Sequence, residues 1–141
     1  MNARQVMILC TGNSARSQMA EGLINREMAG RWHARSAGTS PAPEIHPLAV
    51  KVMAEAGIDI SNQVPKHLST LASEPFDSVI TVCDNARKTC PLWLGPATHV
   101  THIGLADPAL ATGAEEDRLG VFRRTRDEIR ERVLGYLDGL I

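Results

Sequence analysis

The sequence predicts an α/β fold built on a single parallel sheet. Three observations carry that expectation. Short strand-length runs, the unbroken apolar 6–9 and the Val- and Ile-rich 78–82, fit strands covered on both faces. Stretches with apolar residues at helical spacing alternate with the strand-like runs, as in sheets wound with helices. Two of the runs end at a cysteine, Cys10 and Cys83. Ligands of such sheets bind beyond the carboxyl ends of the strands, so the two thiols point to one shared site.

The elements follow in order. The run 6–9 is the first strand. Gly12 and Asn13, turn formers, lie between Cys10 and a helix that opens near Ser17 and carries Met19, Ala20, Leu23, Ile24 and Met28 toward the core until Gly30. Residues 32–37 form a second strand, closed by Gly38, and the proline-rich 39–47 is loop. Pro47 starts a helix over 47–56 that buries Leu48, Val52 and Met53 and stops at Gly57. Residues 61–65 are irregular and 68–73 a short helix. The third strand is 78–82. Residues 84–89 read as one or two helical turns stopped by Pro91, and the β-branched 97–103 as the fourth strand. The last helix, 115–140, sets Leu119, Phe122, Ile129, Val133, Leu137 and Leu140 on one face.

Length and composition fit one domain over 1–141. With 43% hydrophobic and 22% charged residues the chain falls outside the collagen-like, disordered and coiled-coil classes. Fifteen basic against sixteen acidic residues leave a net charge of −1, so no nucleic-acid or membrane partner is expected. The apolar runs fall far short of the roughly 20 residues that span a bilayer. Residues 1–5 show no leader pattern, and a cytoplasmic location is the default expectation. Three cysteines are an odd count for a secreted disulfide framework; they suggest buried thiols, a metal site or redox chemistry.

The segment Cys10-Thr11-Gly12-Asn13-Ser14-Ala15-Arg16-Ser17 joins strand to helix with a cysteine at one end and an arginine at the other. Such a loop cradles a tetrahedral oxyanion: successive backbone N–H groups from Thr11, Gly12, Asn13, Ser14, Ala15 and Arg16 curl around it, and the helix N-terminus adds positive potential. Arg16 offers a planar fork of donors. The same field is expected to lower the pKa of Cys10 and make it a thiolate nucleophile. The Ser17 hydroxyl is placed to donate to that sulfur, and Asn13 to take a left-handed turn. The plainer alternative is a buried cysteine at a strand end with Arg16 on a helix surface. It suits a lone cysteine–arginine pair better than a loop with a strand before it and a helix after it.

Residues 10–22, together with Ser36-Ala37-Gly38, the stretch 57–61, Cys83 with Cys90-Pro91, Asp107-Pro108-Ala109 and the stretch 126–129, resemble the thioredoxin-coupled arsenate reductases, which share the low-molecular-weight protein tyrosine phosphatase fold. The resemblance spans nearly the whole chain. It implies a three-layer domain with a four-stranded parallel sheet flanked by helices. It also implies arsenate as substrate, thioredoxin as partner, no cofactor, a role in arsenical resistance and a weak phosphatase side activity. The chain is expected to act as a monomer.

The resemblance gives the three thiols distinct roles. Cys10 attacks arsenate, Cys83 attacks the Cys10 sulfur and expels arsenite, and Cys90 attacks Cys83 to leave a disulfide that thioredoxin reduces. Arg87 and Lys88 lie just before Cys90 and are expected to favour its thiolate. Were 83–90 helical, the two Cα atoms would lie about 10.5 Å apart along the axis, beyond the roughly 7 Å a disulfide tolerates, so 84–89 must loop out on oxidation. Asp107 is carried over as the proton donor to the leaving oxygen. Glu21 and Ser36 brace the loop through Asn13. Some members of the family hold potassium there with an aspartate in the stretch matching 63–67. This chain has Lys66 and no acid in that stretch, and the Lys66 ammonium is expected to donate to Asn13 or Glu21 instead.

Three other readings compete. A zinc site of Cys83, Cys90, His99 and His102 is disfavoured by six residues between the cysteines, where such sites usually have two to four; no metal is expected. The five histidines are read as solvated or satisfied surface groups. A low-molecular-weight tyrosine phosphatase would wall its pocket with aromatics and usually carry a cysteine directly before the loop arginine, where this chain has Ala15. An oxyanion- or redox-sensing module would keep the loop without turnover.

Overall fold

The computed structural model describes residues 3–71, 73–83 and 97–140. Four strands, β1 (Arg4–Cys10), β2 (Trp32–Gly38), β3 (Phe76–Thr81) and β4 (Ala97–His102), form one sheet in the order β2-β1-β3-β4, every pair parallel. β1 is central, and Val6 to Cys10 are all buried, as an unbroken apolar run requires.

The helices α1 (Arg16–Glu27), α2 (Pro47–Glu55) and α3 (Glu115–Ile129) build the main core against one face. Met19, Leu23, Ile24, Met53, Phe122 and Val133 pack there with Val6, Ile8 and Ile80. The other face carries a smaller cluster of Met7, Leu9, Ala37, Leu71, Phe76 and Val79. The expected 68–73 helix is a single 3-10 turn at Leu68–Thr70.

The last helix departs from expectation. It is α-helical only to Ile129, widens into a π turn at Arg130–Leu134, and resumes as α4 (Gly135–Asp138). The wider turn shifts the buried face, so that Val133 and Leu134 are both buried along with Ile129 and Leu137. Periodicity alone cannot show an inserted residue. Among the described residues no helix is long and apolar enough to cross a membrane.

The parallel sheet fixes where the site lies. β1 pairs with β3 from Val6 with Ser78 to Leu9 with Thr81, and the Val82 amide donates to the Leu9 carbonyl at 2.9 Å. Cys10 and Cys83 thus leave the carboxyl ends of adjacent strands.

Candidate active site

Residues 11–15 turn the chain from β1 into α1. No side chain caps α1 at Ala15, so the helix's first N–H groups are left to the loop and whatever it holds. Asn13 adopts φ 50°, the only non-glycine positive φ among the described residues, and takes the left-handed turn expected of it.

The loop's carbonyls are drawn outward one by one. Thr11 O accepts from Ser40 N at 3.0 Å, Gly12 O from Ala42 N at 2.9 Å and Ser14 O from His46 N at 2.9 Å. Asn13 O accepts from Gln18 Nε2 at 3.0 Å. With each carbonyl occupied on the outer side, the peptide planes present their N–H groups to the inner side. Among the described residues the amides of Asn13, Ser14 and Ala15 meet no backbone carbonyl, and those of Thr11 and Gly12 hydrogen-bond the Cys10 sulfur. Gly38 allows the close approach behind the loop: a Cβ there would sit 2.3 Å from Thr11 O and 2.9 Å from Cys10 O.

The Asn13 side chain is wholly buried and uses both ends. Its Nδ2 donates to Ser17 Oγ at 2.8 Å and to Ser36 Oγ at 3.0 Å, and Ser36 Oγ donates onward to Glu21 Oε1 at 2.6 Å. Its Oδ1 accepts from Gln18 Nε2 at 3.0 Å and from the Lys66 backbone amide at 2.9 Å. Gln63 Nε2 in turn donates to the side-chain and backbone carbonyls of Gln18, at 2.8 and 3.0 Å. The residues read as loop supports are therefore brought together, with one correction. Lys66 reaches Asn13 through its backbone; its exposed ammonium donates to Val64 O at 3.1 Å, where water can still solvate it. These groups do not fit a potassium ion, because both lone pairs of Asn13 Oδ1 are already taken by N–H donors. Gln18 and Gln63 escape sequence reading; the one signal is the place of Gln18 directly after the arginine-serine pair.

Arg16 is 7% exposed despite its charge. Its Nη1 donates to Leu105 O at 3.0 Å and its Nη2 lies 3.6 Å from Asp107 Oδ2. Asp107 Oδ1 also accepts from Ala109 N at 3.0 Å, capping the 3-10 turn Pro108–Leu110. A carboxyl and a guanidinium thus sit side by side at the mouth of the loop.

Cys10 is a free, buried thiol. The expectation of a lowered pKa needs correction: burial pushes the thiol above its ordinary value, and the Asp107 carboxylate adds to this. The Arg16 guanidinium and the Thr11 and Gly12 amides pull the other way without overcoming burial. The Ser17 hydroxyl serves as acceptor for Asn13, which leaves its own proton available.

Cys83 is 1% exposed and disulfide-bonded, and its Sγ accepts from Thr11 Oγ1 at 3.8 Å, at the rim of the loop. Cys90, Arg87, Lys88, Pro91 and the proposed looping of 84–89 lie outside the described residues. Of the other zinc-type candidates, His102 Nδ1 shares a hydrogen bond with Thr81 Oγ1 at 2.7 Å, and His99 is exposed on β4.

A loop that joins a thiol to an arginine at the carboxyl end of a parallel strand defines a class of oxyanion-handling proteins. The model of the low molecular weight phosphotyrosine protein phosphatases matches residues 5–140, and the chain belongs to that family. Arsenate reductases are among its relatives. That of Bacillus licheniformis is 44% identical over 138 residues, covering 98% of both chains. A solved arsenate reductase in the phosphate binding state matches with a TM-score of 0.82 at 32% identity, over 98% of this chain and 99% of that one. A thioredoxin-dependent arsenate reductase of Corynebacterium glutamicum matches with a TM-score of 0.69 at 28% identity, over 99% of this chain and 64% of that one.

Proposed function

We propose that this protein is a thioredoxin-coupled arsenate reductase. One domain over 1–141 would work as a cytoplasmic monomer in arsenic detoxification. Arsenate sits in the loop with its oxygens on the backbone amides and the Arg16 fork. The Cys10 thiolate, stabilised by the Ser17 hydroxyl, attacks arsenic. One oxygen leaves as water, protonated by Asp107, and a sulfur–arsenic(V) bond forms. Cys83 then attacks the Cys10 sulfur. The electron pair of the sulfur–arsenic bond stays on arsenic, which departs as arsenite, and a Cys10–Cys83 disulfide remains. Cys90 attacks Cys83, frees Cys10 and leaves a Cys83–Cys90 disulfide. The dithiol of thioredoxin reduces that bond and completes a two-electron cycle.

The observation that carries this reading is the 3.8 Å contact between Cys83 Sγ and Thr11 of the nucleophile loop. Hydrolysis of a phosphate ester needs only the Cys10 thiol, whereas the two-electron reduction of arsenate draws on a second. The free state of Cys10 beside a disulfide-bonded Cys83 supports the division of roles. The names of the relatives support the substrate and, for one, the reductant.

The test is arsenate-dependent NADPH consumption with thioredoxin and thioredoxin reductase, set beside hydrolysis of an aryl phosphate. Sustained NADPH consumption that needs all three added components supports the reductase. Aryl phosphate turnover without arsenate-dependent NADPH consumption would make the protein a phosphatase, and neither activity would make it an oxyanion-binding module.

A further inference from the structure

His46 takes no part in the reaction above, yet it touches three parts of the site's frame. Its backbone N–H holds the Ser14 carbonyl at 2.9 Å. Its Nδ1 accepts from Leu48 N at 3.1 Å, making it the N-cap of α2. Its ring lies tilted against Phe122 of α3, with centroids 4.7 Å apart. Accepting at Nδ1 puts the neutral ring's proton on Nε2.

We propose that His46 is a positioning residue for the oxyanion loop, holding the Ser14 carbonyl outward only while its imidazole is neutral. The proposal rests on the oxyanion-loop part of the functional reading. Protonation would place an N–H on Nδ1 facing the Leu48 N–H, two donors at the present 3.1 Å separation. The half-buried ring leans on Phe122 and is tied through Nδ1 to the start of α2, and Pro47 stiffens the chain directly after it. Relief therefore moves the His46 backbone and loosens its N–H from Ser14 O. A released Ser14 carbonyl can turn inward, where it repels an anion.

The charges around the ring divide. Arg118, one turn before Phe122 on α3, opposes a second positive charge, while Asp107 favours it from its loop; Arg16 is paired with Asp107. Lys51 and Glu115 pair with each other across α2 and α3, and Glu44 is exposed. Burial is the largest influence and holds the ring's pKa below its ordinary value, so the neutral form prevails at neutral pH. An imidazolium acting only as a nearby charge would tighten anion binding as pH falls. A displaced loop would weaken it. The sign separates the two.

The experiment is calorimetric binding of inorganic phosphate to the wild type and to His46→Asn between pH 8 and pH 5. Asparagine caps helices as well but does not titrate. The ratio of the two affinities cancels the ionisation of phosphate itself. The ratio is expected to be constant near pH 8. In acid the wild type should weaken relative to the variant by up to about tenfold per pH unit below the His46 midpoint. A ratio independent of pH, or a wild type that tightens in acid, overturns the proposal. An NMR titration of the His46 ring in the wild type gives a second measurement that needs no variant. Its midpoint must coincide with the bend in wild-type affinity, and a ring already charged at pH 7.5 overturns the proposal. Absence of phosphate binding by the wild type at pH 8 overturns the oxyanion-loop reading and this proposal with it. A bend of the expected sign supports the proposal whether or not arsenate is reduced.

Discussion

Gln18 Nε2 donates to both carbonyl oxygens of Asn13, backbone and side chain, each at 3.0 Å. One amide group thus fixes a strained left-handed residue and its carboxamide together. Gln18→Leu leaves two buried acceptors short of a donor, which costs roughly 1–3 kcal/mol. Thermal unfolding should register that loss. Phosphate affinity should fall by about tenfold or more, since the Asn13 peptide is then free to flip. Unchanged affinity in a destabilised variant would limit Gln18 to a structural role.

Gly38 faces the backbone of the loop, and the obstruction is carbonyl oxygen, which no rotamer can move aside. Gly38→Ala should therefore displace Thr11 and Cys10 together. The expected outcome is a folded protein whose oxyanion affinity drops by about two orders of magnitude, with a stability loss in the roughly 1–3 kcal/mol range of an overpacked site. Crystal structures or NMR shifts of residues 10–12 would report the displacement.

The Cys10 thiol responds to two charges of opposite sign. Asp107 raises its pKa and Arg16 lowers it. Asp107→Asn should lower the midpoint and speed alkylation by iodoacetamide at pH 7.5, and Arg16→Met should do the reverse, each by a few-fold to about tenfold. Cys83→Ser/Cys90→Ser as the background confines the label to Cys10. Equal rates in all three proteins would show that neither charge reaches the sulfur.

Glu21 is a partly buried carboxyl whose pKa is raised, chiefly by desolvation, with the Ser36 hydrogen bond opposing. A raised folded-state value means that its favourable contribution is complete below the ordinary carboxylate pKa and is lost as pH rises through the folded value. Glu21→Gln keeps an acceptor for Ser36 without the buried charge. It should raise the melting temperature at pH 7, and the gain should vanish near pH 4. A variant less stable than the wild type at pH 7 would show that the ionised carboxylate is needed by the Asn13 network.

Much of the fold was legible because its signals are local. An apolar run of strand length predicts β1, and Pro47 with Gly57 brackets α2 to within a residue. Cys10, Asn13 and Arg16 stand out because an oxyanion loop calls for those residue types at those places, Asp107 stands out only through the family resemblance, and the structure brings the four together. What stayed hidden depends on contacts distant in sequence. Gln63 reaches Gln18 across 45 residues, and Lys66 offers a backbone amide where its side chain drew attention. The rise in the Cys10 pKa is hidden from the sequence because a motif shows the positive groups around a thiol and not its burial. The π turn was invisible because a single inserted residue leaves the hydrophobic stripe nearly intact.

In the proposed cycle Cys83 completes the reduction that Cys10 begins. A single-turnover experiment with Cys90→Ser tests it most directly: the reduced variant is mixed with arsenate, without thioredoxin, and arsenite and disulfides are quantified. About one arsenite per protein molecule and a trapped Cys10–Cys83 disulfide in the peptide map are expected. No arsenite with both thiols still free, or arsenite formed without that disulfide, would contradict it.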